Sequence, residues 1–320
     1  MKGEILMDEK LEYADFKEKL TGEVERLLPP ESRMEHGSVR KVNLGEQDII
    51  TIFSEEEAAI FSPCYYLSNL YKRYLSGCSP EGLAREMIVR FLQVNTTDQG
   101  IKTGRIFSLE EAREYIFYQV ISGEKNRELL GDVLHDDFLD LSIVYRVLLS
   151  GNGGEEIGSA KIMAGQMRDW GVTREEVKEA AKKNTQRLFP AVRMRMGSMI
   201  AEAMKDSGAG MRIDPEQMVR ECLPEMNEVY VLTNRRKTEG FAVVFYKDFL
   251  KRIAEEKESD LYILPSSIHE AIVLPAKEKE SAGELRKIVD EANRICVLPE
   301  DWLSDNVYIY SREQDRLCIA

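Results

Sequence analysis

The run Leu261-Tyr262-Ile263-Leu264-Pro265-Ser266-Ser267-Ile268-His269-Glu270-Ala271-Ile272-Val273-Leu274 contains two short apolar segments, Leu261–Leu264 and Ala271–Leu274, on either side of a six-residue connection. Each has the length and residue types of a β-strand. A parallel crossover needs about a dozen residues, so a link this short predicts an antiparallel pair. The same habit recurs outward along the chain. Val229–Thr233 and Phe241–Tyr246 read as another close strand pair, and Asn306–Ile319 as a final hairpin, with helices from Asp248 and over Ala282–Arg294. Strands joined this closely predict an α+β fold of mostly antiparallel sheets with packed helices, and they exclude a doubly wound α/β fold.

Upstream, Leu139, Leu141, Ile143, Tyr145, Val147 and Leu149 alternate with Asp140, Ser142 and Arg146, the period-two pattern of a strand. Gly151-Asn152-Gly153-Gly154 ends it, and helices are expected over Ala160–Trp170 and Thr173–Leu188, the latter opened by the capping box Thr173/Glu176. In the first third, Leu11, Phe16, Leu20, Val24 and Leu27 make an amphipathic helix that Pro29-Pro30 stops. Ser38–Leu44 and Asp48–Phe53 flank Gly45-Glu46 as a hairpin, and helices follow at Tyr65–Ser76 and from Ser79-Pro80. Phe107–Gly131 fits neither period. Turn-forming residues between Asn95 and Gly104 divide the chain into a smaller helix–hairpin–helix region, 1–104, and a larger α+β domain, 105–320, in which 190–226 is a methionine-rich connecting segment.

The 320 residues carry 57 acidic and 44 basic side chains, a net charge of −13 that argues against nucleic acid as a partner. No apolar run is long enough to span a membrane, the first residues lack the apolar core of a secretory signal, and the five cysteines are scattered with no Cys-x-x-Cys pair. A cytoplasmic protein with reduced thiols, no membrane association and no cofactor is therefore expected. The charge is unevenly laid. Residues 161–240 are net positive, and Lys182, Lys183, Arg187, Arg193 and Arg195 stand within a stretch that contains no acid. This basic, methionine-adjacent patch can dock onto the acidic N-terminal region, a second copy of the chain, or an acidic protein partner.

The chemistry concentrates in a few places. Ser266 or Ser267, His269 and Glu270 offer a nucleophile, a base and an orienting carboxylate within one connection, although no Gly-x-Ser-x-Gly elbow presents either serine. The bland alternative is a turn made by Pro265, Ser266 and Ser267. Asn234-Arg235-Arg236-Lys237 places cations at a strand end, either solvated or facing an anion. Asn184 falls on the apolar stripe of its helix and must either tether a neighbouring backbone or contact a ligand. The glycine cluster at 151–154 has Ser159-Ala160 where a phosphate loop needs Lys-Ser/Thr, so it reads as a connection. His135, Asp136, Asp137 and Asp140 supply at most two convergent ligands, and no metal site is assigned.

The marks Trp170-Gly171-Val172-Thr173, Lys183-Asn184-Thr185-Gln186-Arg187-Leu188-Phe189-Pro190, Tyr230-Val231-Leu232-Thr233-Asn234 and above all Leu264-Pro265-Ser266-Ser267-Ile268-His269-Glu270 resemble those of a family of gut anaerobic bacteria defined only as a domain of unknown function. In plan the chain is also similar to a second family without assigned activity. The resemblance implies a cytoplasmic protein and brings no catalytic residue or cofactor with it. With no motif of catalytic specificity, the sequence favours a non-catalytic binding or regulatory protein, with a hydrolase-like enzyme built on Ser266 or Ser267, His269 and Glu270 as the alternative. The binding candidates are Asn184, Asn234, Arg235, Arg236, Arg193 and Arg195.

Overall fold

A computed structural model of the full chain describes residues 10–54, 63–96, 112–150, 158–206, 214–277 and 281–320. The glycine cluster at 151–154 and most of the boundary segment at 95–104 lie outside these residues. The chain forms two compact units, Met1–Ile106 and Phe107–Ala320. All strand pairs described are antiparallel and the sheets are packed with helices, so the fold is α+β. Among the described residues, no helix is long and apolar enough to cross a membrane.

In the first unit, α1 (Tyr13–Leu27) buries Phe16, Leu20 and Val24 against Ile50 and Ile52 of β2 (Gly45–Ser54) and Leu83, Met87 and Phe91 of α3 (Pro80–Thr96). β1 (Ser32–Lys41) pairs along the whole of β2, and the loop between them turns at Asn43, which takes a positive φ that asparagine tolerates. β3 (Cys64–Tyr66) adds to the far edge of β2 before α2 (Leu67–Leu75).

The second unit contains two sheets. The first has β6 (Leu141–Ser150) at its centre, with β4 (Ile116–Ser122) on one edge and β5 (His135–Phe138) followed by β7 (Gly158–Lys161) on the other. β4 is buried along its whole length, which explains why Phe107–Gly131 shows no period. The short helix α4 (Arg127–Leu130) follows β4. Residues of β6 are buried on both faces, Ser142 and Val144 as well as Leu141, Tyr145 and Val147. Strand pairing claims Gly158–Lys161, so the helix expected over Ala160–Trp170 shrinks to α5 (Gln166–Trp170). The capping box of α6 (Arg174–Leu188) forms as read, with the Thr173 side chain accepting from the Glu176 amide.

The second sheet has the order β13-β12-β10-β11-β9-β8. Its strands are β8 (Ala191–Arg195), β9 (Tyr230–Asn234), β10 (Leu261–Ser267), β11 (Glu270–Pro275), β12 (Tyr308–Ser311) and β13 (Arg316–Ile319). Between them lie α7 (Met196–Asp206), α8 (Pro215–Cys222), α9 (Phe249–Lys257) and α10 (Ala282–Ile295). One expectation needs correction. Phe241–Tyr246 is not a strand, because β8 and β11 already occupy both edges of β9; Gly240–Phe245 instead forms a buried 3-10 turn. Within 190–226 the chain opens as edge strand β8, and of its described methionines Met194, Met196, Met199, Met204, Met218 and Met226 are half-buried.

The two sheets meet at the β5–β6 hairpin. Phe138 pairs with Leu141, so its loop is only Leu139-Asp140. Asp140 accepts hydrogen bonds from Ser304 Oγ at 2.6 Å, Asn306 Nδ2 at 3.0 Å and the Tyr308 hydroxyl at 2.8 Å. Leu139 has φ +56° at the first turn position, where glycine is favoured, and its side chain is 48% exposed. A charged acceptor with several donors is worth more than a neutral bond. Replacing Asp140 by Ala is expected to lower the unfolding free energy by about 2–4 kcal/mol in urea denaturation, since it leaves Ser304 and Tyr308 without their acceptor.

Candidate functional site

The Ser-Ser-His-Glu connection is the natural place to begin, because it joins β10 to β11 through a register shift between Pro265 and Ser267. Ser266 Oγ donates to Glu270 Oε1 at 3.1 Å, and Ser267 Oγ accepts the backbone N–H of His269 at 3.0 Å. The backbone N–H of Glu239 donates to His269 Nδ1 at 3.1 Å, while Nε2 lies 3.1 Å from Asp301 Oδ1. An amide can only donate, so Nδ1 is the acceptor and Nε2–H points to the carboxylate. Both ring nitrogens are thus held, and neither serine is among their partners. The connection brings serine, imidazole and carboxylate close in sequence without forming the relay.

Its backbone shows why. Thr233 Oγ1 donates to the His269 carbonyl at 2.8 Å, the Phe241 amide to the Ile268 carbonyl at 3.2 Å, and the Ile268 amide to the Asp301 carbonyl at 2.8 Å. A Cβ on Gly240 would overlap Thr233 Oγ1 and the His269 carbonyl, so only glycine lets these segments come together. His269 fastens the end of β9 to the 298–301 turn.

The binding candidates divide in the same way. Asn184 is 1% exposed and donates to the carbonyls of Arg113 at 2.7 Å and Ile116 at 3.1 Å; with Thr185 Oγ1, which accepts the Tyr118 amide at 3.1 Å, it caps the open edge of β4. Asn234 is also buried and closes its own turn, bonding the Thr238 carbonyl and the Arg236 amide. Neither amide is within reach of a ligand from solvent. Arg193 pairs with Glu256 at 2.8 Å and lies over the Tyr230 ring, and Arg236 lies over Phe189. Arg195 and Arg235 remain exposed.

Behind this turn is a cluster of charge that sequence spacing did not suggest. Arg146 pairs with Glu239 at 3.0 Å and donates to Gln119 Oε1 at 2.7 Å, and Lys161 is its cross-strand neighbour. Burial, then the adjacent Arg146 charge, lower the Lys161 ammonium to about 8, against a smaller opposing effect of Glu239.

Two grooves flank Leu139. One, of about 510 Å³, includes Glu124, Arg127, His135 and Asp137 in its wall. The Val133 carbonyl lies 3.0 Å from His135 Nδ1, and Nε2 lies 3.8 Å from Asp137 Oδ1. Among the described residues, no group of three or more side chains is arranged to hold a metal ion. The other groove, of about 310 Å³, has an aromatic floor that includes Phe138, Phe245, Phe249 and Tyr310. Phe138 meets Phe245 edge to face at 5.0 Å. Asp248, Lys251, Asp315 and Arg316 form its rim. Tyr310 donates its hydroxyl to Asp315, and burial, reinforced by this bond, raises the phenol above its ordinary range. Lys251 lies 3.9 Å from Asp315. These residues come from the β5–β6 hairpin, the 3-10 turn, the start of α9 and the last hairpin, and no local motif links them.

The fold and its surface define an antiparallel α+β protein with an aromatic-lined groove beside a hairpin tip. The chain belongs to DUF5688, a family of unknown function, whose family model matches residues 13–312. No curated protein and no solved structure matches it.

The lysine cluster supplies a test by pH. Unfolded, Lys161 titrates near 10.5, and folded near 8, so between these values the unfolded chain holds the extra proton and stability rises with pH. Urea denaturation at pH 7.5 to 10 is expected to show this rise in the native protein and a smaller one in Lys161→Met. Equal slopes would mean that the ammonium is fully solvated.

Proposed function

We propose that this protein is a non-catalytic binding protein and that its ligand seat is the aromatic groove beside Leu139. The observation that carries this reading is the groove itself: about 310 Å³, floored by aromatic rings and rimmed by charges of both signs. Apolar concavities with a few convergent polar groups are the usual form of small-molecule sites. The strained, exposed Leu139 on its border supports the same reading, since backbone strain clusters at binding surfaces. A reducing, cytoplasmic setting fits cysteines that form no disulfide. A regulatory role through a protein partner would use the exposed Arg195 and Arg235 rather than the methionines.

The hydrolase alternative has one feature in its favour, the His269–Asp301 pair at 3.1 Å. Two measurements separate the readings. A fluorophosphonate probe is expected to leave Ser266 and Ser267 unlabelled in intact-protein mass spectrometry; stoichiometric labelling of either serine would sink the non-catalytic reading. Indole, a neutral aromatic probe, is expected to shift the NMR signals of Phe245 and Phe249, with weaker binding in Phe249→Ser and, on the opposite wall, Leu317→Ser. Shifts confined to other parts of the molecule would refute the groove as the seat.

A further inference from the structure

Resting on the groove reading, we propose that the occupant is a free α-amino acid with an apolar side chain, its ammonium group on Asp248 and its carboxylate on Arg316. Two of the four rim charges are already engaged, Asp315 by the Tyr310 hydroxyl and by Lys251 at 3.9 Å. Among the described residues, the Asp248 carboxylate and the Arg316 guanidinium make no hydrogen bond or ion pair. One free anion and one free cation therefore face a single groove.

Asp248 is unusual in a second respect. It precedes α9 at the N-cap, where an aspartate ordinarily accepts a backbone N–H, yet its φ is +57° and its side chain caps nothing. The carboxylate is thus not spent on the helix end. Arg316 begins β13, the edge strand of its sheet, so its fork has no cross-strand neighbour on the outer side. Bidentate binding of a carboxylate suits this side chain.

Charge complementarity selects among ligands. A simple anion would meet Asp248 and Asp315, and a simple cation would meet Lys251 and Arg316. A zwitterion satisfies both free groups and leaves the rim neutral. The floor of Phe138, Phe245 and Phe249 takes the apolar side chain, and about 310 Å³ is at the small end of ligand sites, suited to one amino acid and not to a long peptide. A dipeptide carries the same two charges further apart, so it tests the spacing.

The experiment is calorimetric titration of the full chain with L-phenylalanine, L-phenylalaninamide, N-acetyl-L-phenylalanine, L-phenylalanyl-L-alanine and indole. The free amino acid is expected to bind tightest, with each capped analogue and the dipeptide weaker by about tenfold or more, the loss expected for one charge-assisted contact. Asp248→Asn, which tolerates the positive φ, should weaken phenylalanine while leaving the N-acetyl analogue unchanged. Arg316→Gln should weaken phenylalanine while leaving the amide unchanged. If indole binds but the zwitterion gains nothing over its capped forms, the amino-acid assignment is wrong and the groove reading stands. Failure of indole and amino acid alike overturns both, and preference for the dipeptide replaces the free amino acid with a peptide.

Discussion

One carboxylate joins the hairpin tip of one sheet to the last hairpin of the other. Asp140 lies at the tip of the hairpin in the four-stranded sheet, and its three donors, Ser304, Asn306 and Tyr308, lie at the entry to β12 of the six-stranded sheet. Each sheet is stabilised internally by its own ladder, but the relative placement of hairpin tip and last hairpin depends on this contact. The two-residue loop that carries Asp140 also fixes the residue before it. Leu139 remains at φ +56° and half exposed, a conformation that an unrestrained leucine would leave at a gain of about 1–2 kcal/mol. The groove beside it draws on both hairpins, Phe138 and Leu139 from the tip and Tyr310, Asp315 and Arg316 from the last hairpin.

The class of fold was legible because it rests on connection length. Six residues between Leu264 and Ala271 permit only a hairpin, and the observed register pairs Leu264 with Ile272 and Ile263 with Val273. Caps were legible for the same local reason, as Thr173 and Glu176 show. Where reading by period failed, long-range occupancy of sheet edges decided the outcome. Gly240–Phe245 has the composition of a strand and is a 3-10 turn because β9 has no vacant edge. Leu139 belongs to the alternating pattern and yet turns the chain, because the alternation continues past the point at which β5 must fold back on β6. β4 has no period because it is buried throughout.

The candidate site was less legible than the fold. Ser266, Ser267, His269 and Glu270 drew notice because polar groups of catalytic type stand close together, but Ser266 bonds Glu270, Ser267 takes the His269 amide, and the imidazole is held by the backbone of residue 239 and the carboxylate of residue 301. Asn184 showed its character through its position on an apolar stripe, and the edge of β4 that it satisfies lies about seventy residues earlier. The groove has no sequence signature at all. Phe138, Phe245, Asp248 and Arg316 come from separate elements, and each looks ordinary in its own segment. Leu139 and Asp248 take a positive φ there, a feature that composition does not encode.

The Asp140 contact also sets an order of events during synthesis. Asp140 emerges 164 residues before Ser304, 166 before Asn306 and 168 before Tyr308. The four-stranded sheet can therefore form, with its two-residue tip closed and the Asp140 carbonyl held by the Gly123 amide, before the donors to the Asp140 carboxylate exist. The turn at Leu139 comes with its own hairpin, and the groove arrives with the last one. A chain lacking the residues from Ser304 onward would keep most of the core and lose the Tyr310, Asp315 and Arg316 side of the groove.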